Sequence, residues 1–178
     1  MIPGMTLLNE TMDSSFEHLM QAHLYKVYRL CYWLVKDRTA AEDITQEVFL
    51  RAYKHLSTFR GDSRIETWLY RIAVNESKRY VRSWSFRNIF YFAQPVDKGI
   101  IDTESQVIRK DELANLALLI DKLPFRHRQI LILHYYEELS IETISEILGI
   151  STGAVYTRLH RAREQIKTLI SKEGEIWM

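Results

Sequence analysis

Apolar residues recur at helical spacing along most of the chain. After Ser14, the positions Phe16, Leu19, Met20, Leu24, Val27, Cys31, Leu34 and Val35 form one stripe. Ala41, Ile44, Val48 and Ala52 form a second stripe after Thr39, and Leu69, Ile72 and Ala73 a third after Ser63, continuing to about Ser83. Each of these three starts pairs its hydroxyl residue with a glutamate three positions on: Glu17, Glu42 and Glu66. Such a pair can satisfy the free N–H groups of a helix start reciprocally, so the spacing predicts three capping boxes. Residues 14–92 read as one helical domain, and residues 1–13, without clear periodicity, as a loose leader.

The periodicity lapses over residues 93–107, where Pro95 and Gly99 stand among scattered acids, and this stretch reads as a flexible linker. It resumes at Leu113, Leu116, Ala117 and Ile120 and stops before Pro124, which cannot continue a helix. A second helix is expected over about 126–136. A third follows Ser140 with Ile141, Ile144 and Leu148 inward and Gly149 suited to its C-terminal turn. A fourth begins at Ser151 or Thr152 and runs past Ile166. The last two, a short helix, a glycine-containing turn and a longer helix, form a helix-turn-helix pattern. The expected fold class is therefore all-α, with two small helical domains (14–92 and 108–172), a linker and a tail at 173–178.

Composition narrows the function. Of 178 residues 47% are apolar, enough for packed cores, and only three prolines and six glycines interrupt them. The single cysteine, Cys31, excludes an internal disulfide, and among Leu30, Tyr32 and Leu34 it reads as a small buried residue. No apolar run approaches the ~20 residues of a bilayer span, and the N-terminus lacks a secretory pattern, so a cytoplasmic protein is expected. Catalysis finds no support. The six histidines show no metal-ligand spacing, no glycine-rich phosphate loop exists, and no nucleophile stands out. Neither a cofactor, a metal nor a small-molecule substrate is expected.

Three constellations remain. On the C-terminal helix, Val155, Leu159 and Ile166 mark the inward face. Ser151, Thr152, Gly153, Tyr156, Thr157, His160, Arg161 and Glu164 lie outward, with Arg158 and Arg163 at the flanks. Small and polar residues at the start of such a helix suit base edges in a major groove, and arginines further along suit phosphate or guanine; a solvated basic surface is the alternative. Residues 59–87 carry seven basic residues against three acids, interleaved with Phe59, Trp68, Tyr70, Tyr80, Trp84 and Phe86. Within them Arg71, Asn75, Lys78 and Arg82 share one helical face, a pattern suited to single-stranded nucleic acid, with Arg64 and Arg79 close by. The third constellation is the strip Asp43, Gln46, Glu47 and Leu50, which cannot favour DNA. It is either solvated surface or a docking face for a basic partner.

The segments AEDITQEVFLRAY (41–53), FRGDSRIETWLYRIAVN (59–75) and ISTGAVYTRLHRARE (150–164) resemble regions 2.2, 2.3–2.4 and 4.2 of extracytoplasmic-function sigma factors of the sigma-70 family. LPFRHRQILILHYYEELSIETISEILG (123–149) is similar to their region 4.1 and the first half of their helix-turn-helix. The match runs in family order over about 14–92 and 108–170. The resemblance implies a non-enzymatic subunit of RNA polymerase. Asp43, Gln46, Glu47 and Leu50 would dock on the clamp coiled coil of the β′ subunit, and region 4 on the β flap. Phe59, Arg60, Gly61, Asp62, Ser63 and Arg64 would form the loop that captures a flipped base of the −10 element. Asn75, Lys78, Arg79 and Arg82, beside Arg71, would line the opened strand, and the helix from Ser151 would read the −35 duplex. It further implies an inhibitory anti-sigma factor, of a kind often anchored in the membrane. Three positions depart from the family pattern: Ser145 where alanine is usual, and Ala154 and Tyr156 where threonine and a basic residue are common. The apolar run at 86–92 is also unusual and suits packing or a regulator. The competing reading is a stand-alone helix-turn-helix regulator of duplex operators, which leaves the acidic strip and the aromatic loop unused.

Overall fold

The computed structural model describes the backbone of residues 3–59, 61, 63–88 and 118–174, and side chains over 14–83 and 118–172 except at 57, 60 and 62. The linker 93–107, and the side chains of the apolar run at 86–92, lie outside the described residues. Six named helices follow in order: α1 (Pro3–Val35), α2 (Arg38–His55), α3 (Ile65–Asn88), α4 (Phe125–Leu131), α5 (Ile141–Leu148) and α6 (Thr152–Gly174). A 3₁₀ turn (Leu56–Thr58) ends α2, and a π turn (Ile132–Tyr136) extends α4. No strand occurs among the described residues.

All three expected capping boxes are displaced. Helix α1 passes through Ser14 and begins at Pro3, so the stretch expected to be a loose leader is helical from that residue. Proline is tolerated in a first turn, where its missing N–H has no partner to lose, and no breaker stands between Gly4 and Ser14. Helix α2 is capped by Asp37, whose carboxylate accepts the Ala40 N–H at 2.9 Å, leaving Thr39 inside the first turn. Helix α3 starts at Ile65, and the Arg64 carbonyl takes its first bond from Trp68 N–H. By contrast Ser140 caps α5, accepting from Thr143 N–H at 3.2 Å, and Gly149 closes it at φ 62°, a left-handed position where a side chain would be strained.

Val27, Leu30, Cys31 and Leu34 of α1 meet Ile44, Val48 and Phe49 of α2 and Leu69, Ala73 and Val74 of α3 in one buried layer. Each of the larger side chains contributes ~2 kcal/mol on burial. The Cys31 thiol lies fully inside this layer, and burial pushes its pKa up to about 12, so it serves as packing. The C-terminal half builds its own layer from Ile130 and Leu133, Ile144 and Ile147, and Val155, Leu159 and Ala162.

The two layers join in a single apolar cluster, because the C-terminal half is docked on α1 and α3. The π turn, closed by Glu137 N–H to the Ile132 carbonyl, brings Tyr136 and Glu137 against the N-terminal half. Trp33 and Tyr136 rings lie 4.8 Å apart, and the Arg29 guanidinium sits over the Tyr136 ring at 4.8 Å. The Glu137 carboxylate, only 4% exposed, accepts from Arg29 at 3.3 Å on both oxygens and from the Tyr70 hydroxyl at 2.6 Å. Lys36, at a left-handed position that ends α1, reaches Asp121 at 3.2 Å and covers the Trp33 ring.

Candidate nucleic-acid interface

Helix α6 presents the face its sequence implied. Val155, Leu159 and Ala162 are buried, while Ser151, Thr152, Gly153, Tyr156, Thr157, His160 and Arg161 are exposed. Ser151 accepts the Ala154 N–H at 3.2 Å and so fixes where the helix begins. Tyr156 is 60% exposed. The turn leading in is braced by Ser145, whose hydroxyl donates to the Ile150 carbonyl at 2.5 Å, a bond that alanine there would lack. Arg163 is not free at the flank: its Nε donates to the Tyr135 hydroxyl at 2.7 Å, and its guanidinium stacks over that ring.

Arg158, expected at the other flank, is half-buried and faces α4. With Ala154, Thr157 and Arg161 of α6 and Arg126 and His127 of α4 it lines an open cleft of about 360 Å³. Burial, and then repulsion from Arg126, push the Arg158 pKa down. Sequence reasoning missed Arg126, because nothing local links the start of α4 to the side of α6.

The basic face of α3 is present: Arg71, Asn75, Lys78 and Arg82 are all exposed on the helix. Two expected contacts are engaged elsewhere. Arg71 Nε donates to the Glu146 carbonyl of α5 at 3.1 Å, tying the face to the C-terminal half. Arg79 pairs with Glu76, which also receives Arg51 at 3.2 Å. In the loop before α3, Gly61 adopts φ 75°, a left-handed turn that glycine takes without strain, with open space around it. Phe59 packs on Trp68 with ring centroids 5.1 Å apart, Ser63 is half-buried and Arg64 exposed. Arg60 and Asp62 lie outside the described residues.

On α2, Asp43 and Gln46 are exposed, with Leu50 beside them at 48%. Glu47 belongs to an ion-pair chain. Arg51 donates to it at 2.6 Å and holds its carboxyl below the usual range, and then reaches Glu76. Spacing along α2 could have suggested the Glu47–Arg51 pair, whereas the link to Glu76 needed the packing of α2 on α3.

A helix-turn-helix half with an outward polar helix, docked on a three-helix half with a basic face and an acidic strip, defines a two-module helical protein of the helix-turn-helix class. Comparison with known proteins narrows this class. The Sigma-70 region 2 family model matches residues 19–86, and the Sigma-70 region 4 model matches 113–166. The chain is 34% identical over 167 residues to the ECF RNA polymerase sigma factor SigW of Bacillus subtilis (strain 168), covering 87% of this chain and 88% of that one. It is 33% identical over 162 residues to the RNA polymerase sigma-H factor of Pseudomonas aeruginosa, covering 85% and 84%. Among solved structures, the sigma factor RpoE in complex with the anti-sigma factor NepR, from Bartonella quintana, superposes with a TM-score of 0.72 at 21% identity. That match covers 88% of this chain and 97% of RpoE. CnrH in complex with the cytosolic domain of CnrY superposes at 0.64 with 23% identity, covering 90% of each chain. The chain belongs to the extracytoplasmic-function RNA polymerase sigma factors, which are non-enzymatic transcription initiation factors.

Proposed function

We propose that the protein binds core RNA polymerase through α2 and directs it to promoters by reading two DNA elements with its two halves. The observation that carries this is the separation of chemistry on one scaffold. An acidic and apolar strip (Asp43, Gln46, Glu47, Leu50) lies on α2, a basic face on α3, and a polar recognition face on α6. The strip would meet the β′ clamp coiled coil, since a carboxylate-lined helix suits a basic partner. The loop at 59–64 and the face of Asn75, Lys78 and Arg82 would hold the opened −10 strand, aromatic rings accepting bases and cations following phosphates. The face from Ser151 to Arg161 would enter the major groove at the −35 element, and region 4 would rest on the β flap.

An anti-sigma factor as regulator is supported by two structures that share this fold, RpoE bound to the anti-sigma factor NepR and CnrH bound to the cytosolic domain of CnrY. Among the described residues no helix is long and apolar enough to cross a membrane. As a subunit of RNA polymerase the protein would act in the cytoplasm, held at the inner membrane face where its inhibitor is anchored there.

Run-off transcription with purified core polymerase on a genomic fragment library tests the whole reading, and transcripts starting at defined sites are expected. Reversing charge in Asp43→Lys/Glu47→Lys should abolish recovery of core in a pull-down while leaving the helical circular dichroism unchanged. Undiminished recovery would remove α2 from the interface.

A further inference from the structure

The cleft between α4 and α6 collects three guanidiniums, those of Arg126, Arg158 and Arg161, and no carboxylate lines it. None of the three forms an ion pair among the described residues, although elsewhere on these elements cations have partners: Arg163 has Tyr135, Lys167 has Glu164 at 2.9 Å, and Arg128 donates to the Asp121 carbonyl. Like charges gathered without compensation cost energy in the free protein, and burial of Arg158 raises that cost. The walls leave room for a ligand. Ala154 contributes only a methyl group, the Thr157 hydroxyl is turned back to the Gly153 carbonyl at 2.9 Å, and His127 Nδ1 is held by Gln165 at 2.5 Å. The chemical complement of three guanidiniums is an anion with several acceptor oxygens, and planar guanidiniums bind a phosphate group through paired hydrogen bonds.

We infer that this cleft is a phosphate clamp, in which Arg126 of α4 joins Arg158 and Arg161 of α6 around one backbone phosphate of duplex DNA. The inference rests on the reading of α6 as the duplex-binding helix and adds a residue that α6 alone does not contain. Arg126 carries no sequence information in this role. It fixes the depth and register at which α6 sits, so that Tyr156, Thr157 and His160 face base edges. Because the clamp spans two helices, it also ties the groove position of α6 to α4, the helix that precedes the helix-turn-helix.

The test uses the full chain assembled with core polymerase, on promoter duplexes that vary at single −35 positions, over a salt series. Arg126→Ala is expected to weaken every duplex by a similar factor and to reduce the slope of log affinity against log salt by about one, the signature of one lost phosphate contact. Arg126→Lys should restore much of the slope, since a point charge still neutralises phosphate. Unchanged affinity and slope in Arg126→Ala, with the parent binding normally, would overturn the clamp. So would a loss confined to one −35 position, which would mark a base contact. A parent holoenzyme that ignores −35 substitutions altogether would instead sink the reading of α6 itself. Calorimetric titration of the full chain with inorganic phosphate separates the sources: tight binding abolished by Arg126→Ala would show a site for a free anion and overturn the assignment to DNA. Thermal unfolding should be little changed in both variants, because Arg126 is exposed.

Discussion

Replacing Glu137 with alanine removes the carboxylate through which the two halves are joined. Its two oxygens accept from Arg29 at 3.3 Å and from Tyr70 at 2.6 Å, and the acid is almost fully enclosed. A hydrogen bond to a charged group contributes ~1.5–3 kcal/mol, and a buried donor left without a partner costs ~1–3 kcal/mol. Tyr70, 2% exposed, bears that second cost in full, whereas Arg29, with a third of its side chain in water, is partly resolvated. The loss should therefore fall at about 3 kcal/mol, the lower end of the range for breaking a buried pair. Tyr70→Phe keeps the Arg29 pair and leaves no orphaned donor, so it should lose only the charged hydrogen bond, ~1.5 kcal/mol. The double variant should lose less than the two singles combined, because both act on one bond. Urea unfolding followed by circular dichroism measures these differences. Spin labels on α2 and α6 should in addition show a broader distance distribution in Glu137→Ala, since the docking also holds the Arg71 contact to Glu146. A midpoint and a label distance both equal to the parent's would refute the claim that this carboxylate holds the halves together.

Three further outcomes follow from the same structure. Arg161→Ala, on the exposed face one turn beyond Thr157 and on the wall of the cleft, should weaken binding to every −35 variant by a similar factor and lower the salt slope, as a lost phosphate contact does; a loss confined to one −35 position would mark a base contact instead. Glu138 sits at φ 52°, a left-handed conformation that costs an L-residue ~1–2 kcal/mol, so Glu138→Gly should gain ~0.5–1 kcal/mol after the extra freedom of glycine in the unfolded chain, measured by thermal melting. Burial, reinforced by the bond to Glu137, raises the Tyr70 hydroxyl well above its ordinary 10.0. The folded chain then keeps a proton that the unfolded chain loses, so this stability is intact below pH 10 and falls as pH rises above it; Tyr70→Phe should flatten that alkaline loss.

The helix-turn-helix was legible because its determinants are local. A serine cap before α5, a glycine after it, a serine before α6 and an inward stripe at Val155, Leu159 and the half-buried Ile166 are all set by neighbours within one or two turns, while the buried Ala162 went unmarked. The exposed face of α3 and the strip on α2 followed from the same periodicity. Helix starts were less secure: Asp37, not Thr39, caps α2, because its carboxylate reaches the Ala40 N–H. What only the tertiary structure decided is where charges meet across the chain. Arg29 and Glu137 are 108 residues apart, Tyr70 and Glu137 67, and Arg71 and Glu146 75, distances over which no spacing rule operates. The π turn that delivers Glu137, and the arrival of Arg126 beside Arg158, likewise depend on how α4 packs. Periodicity tells each helix which face to bury, but a polar side chain chooses its partner only once burial has removed water as the alternative.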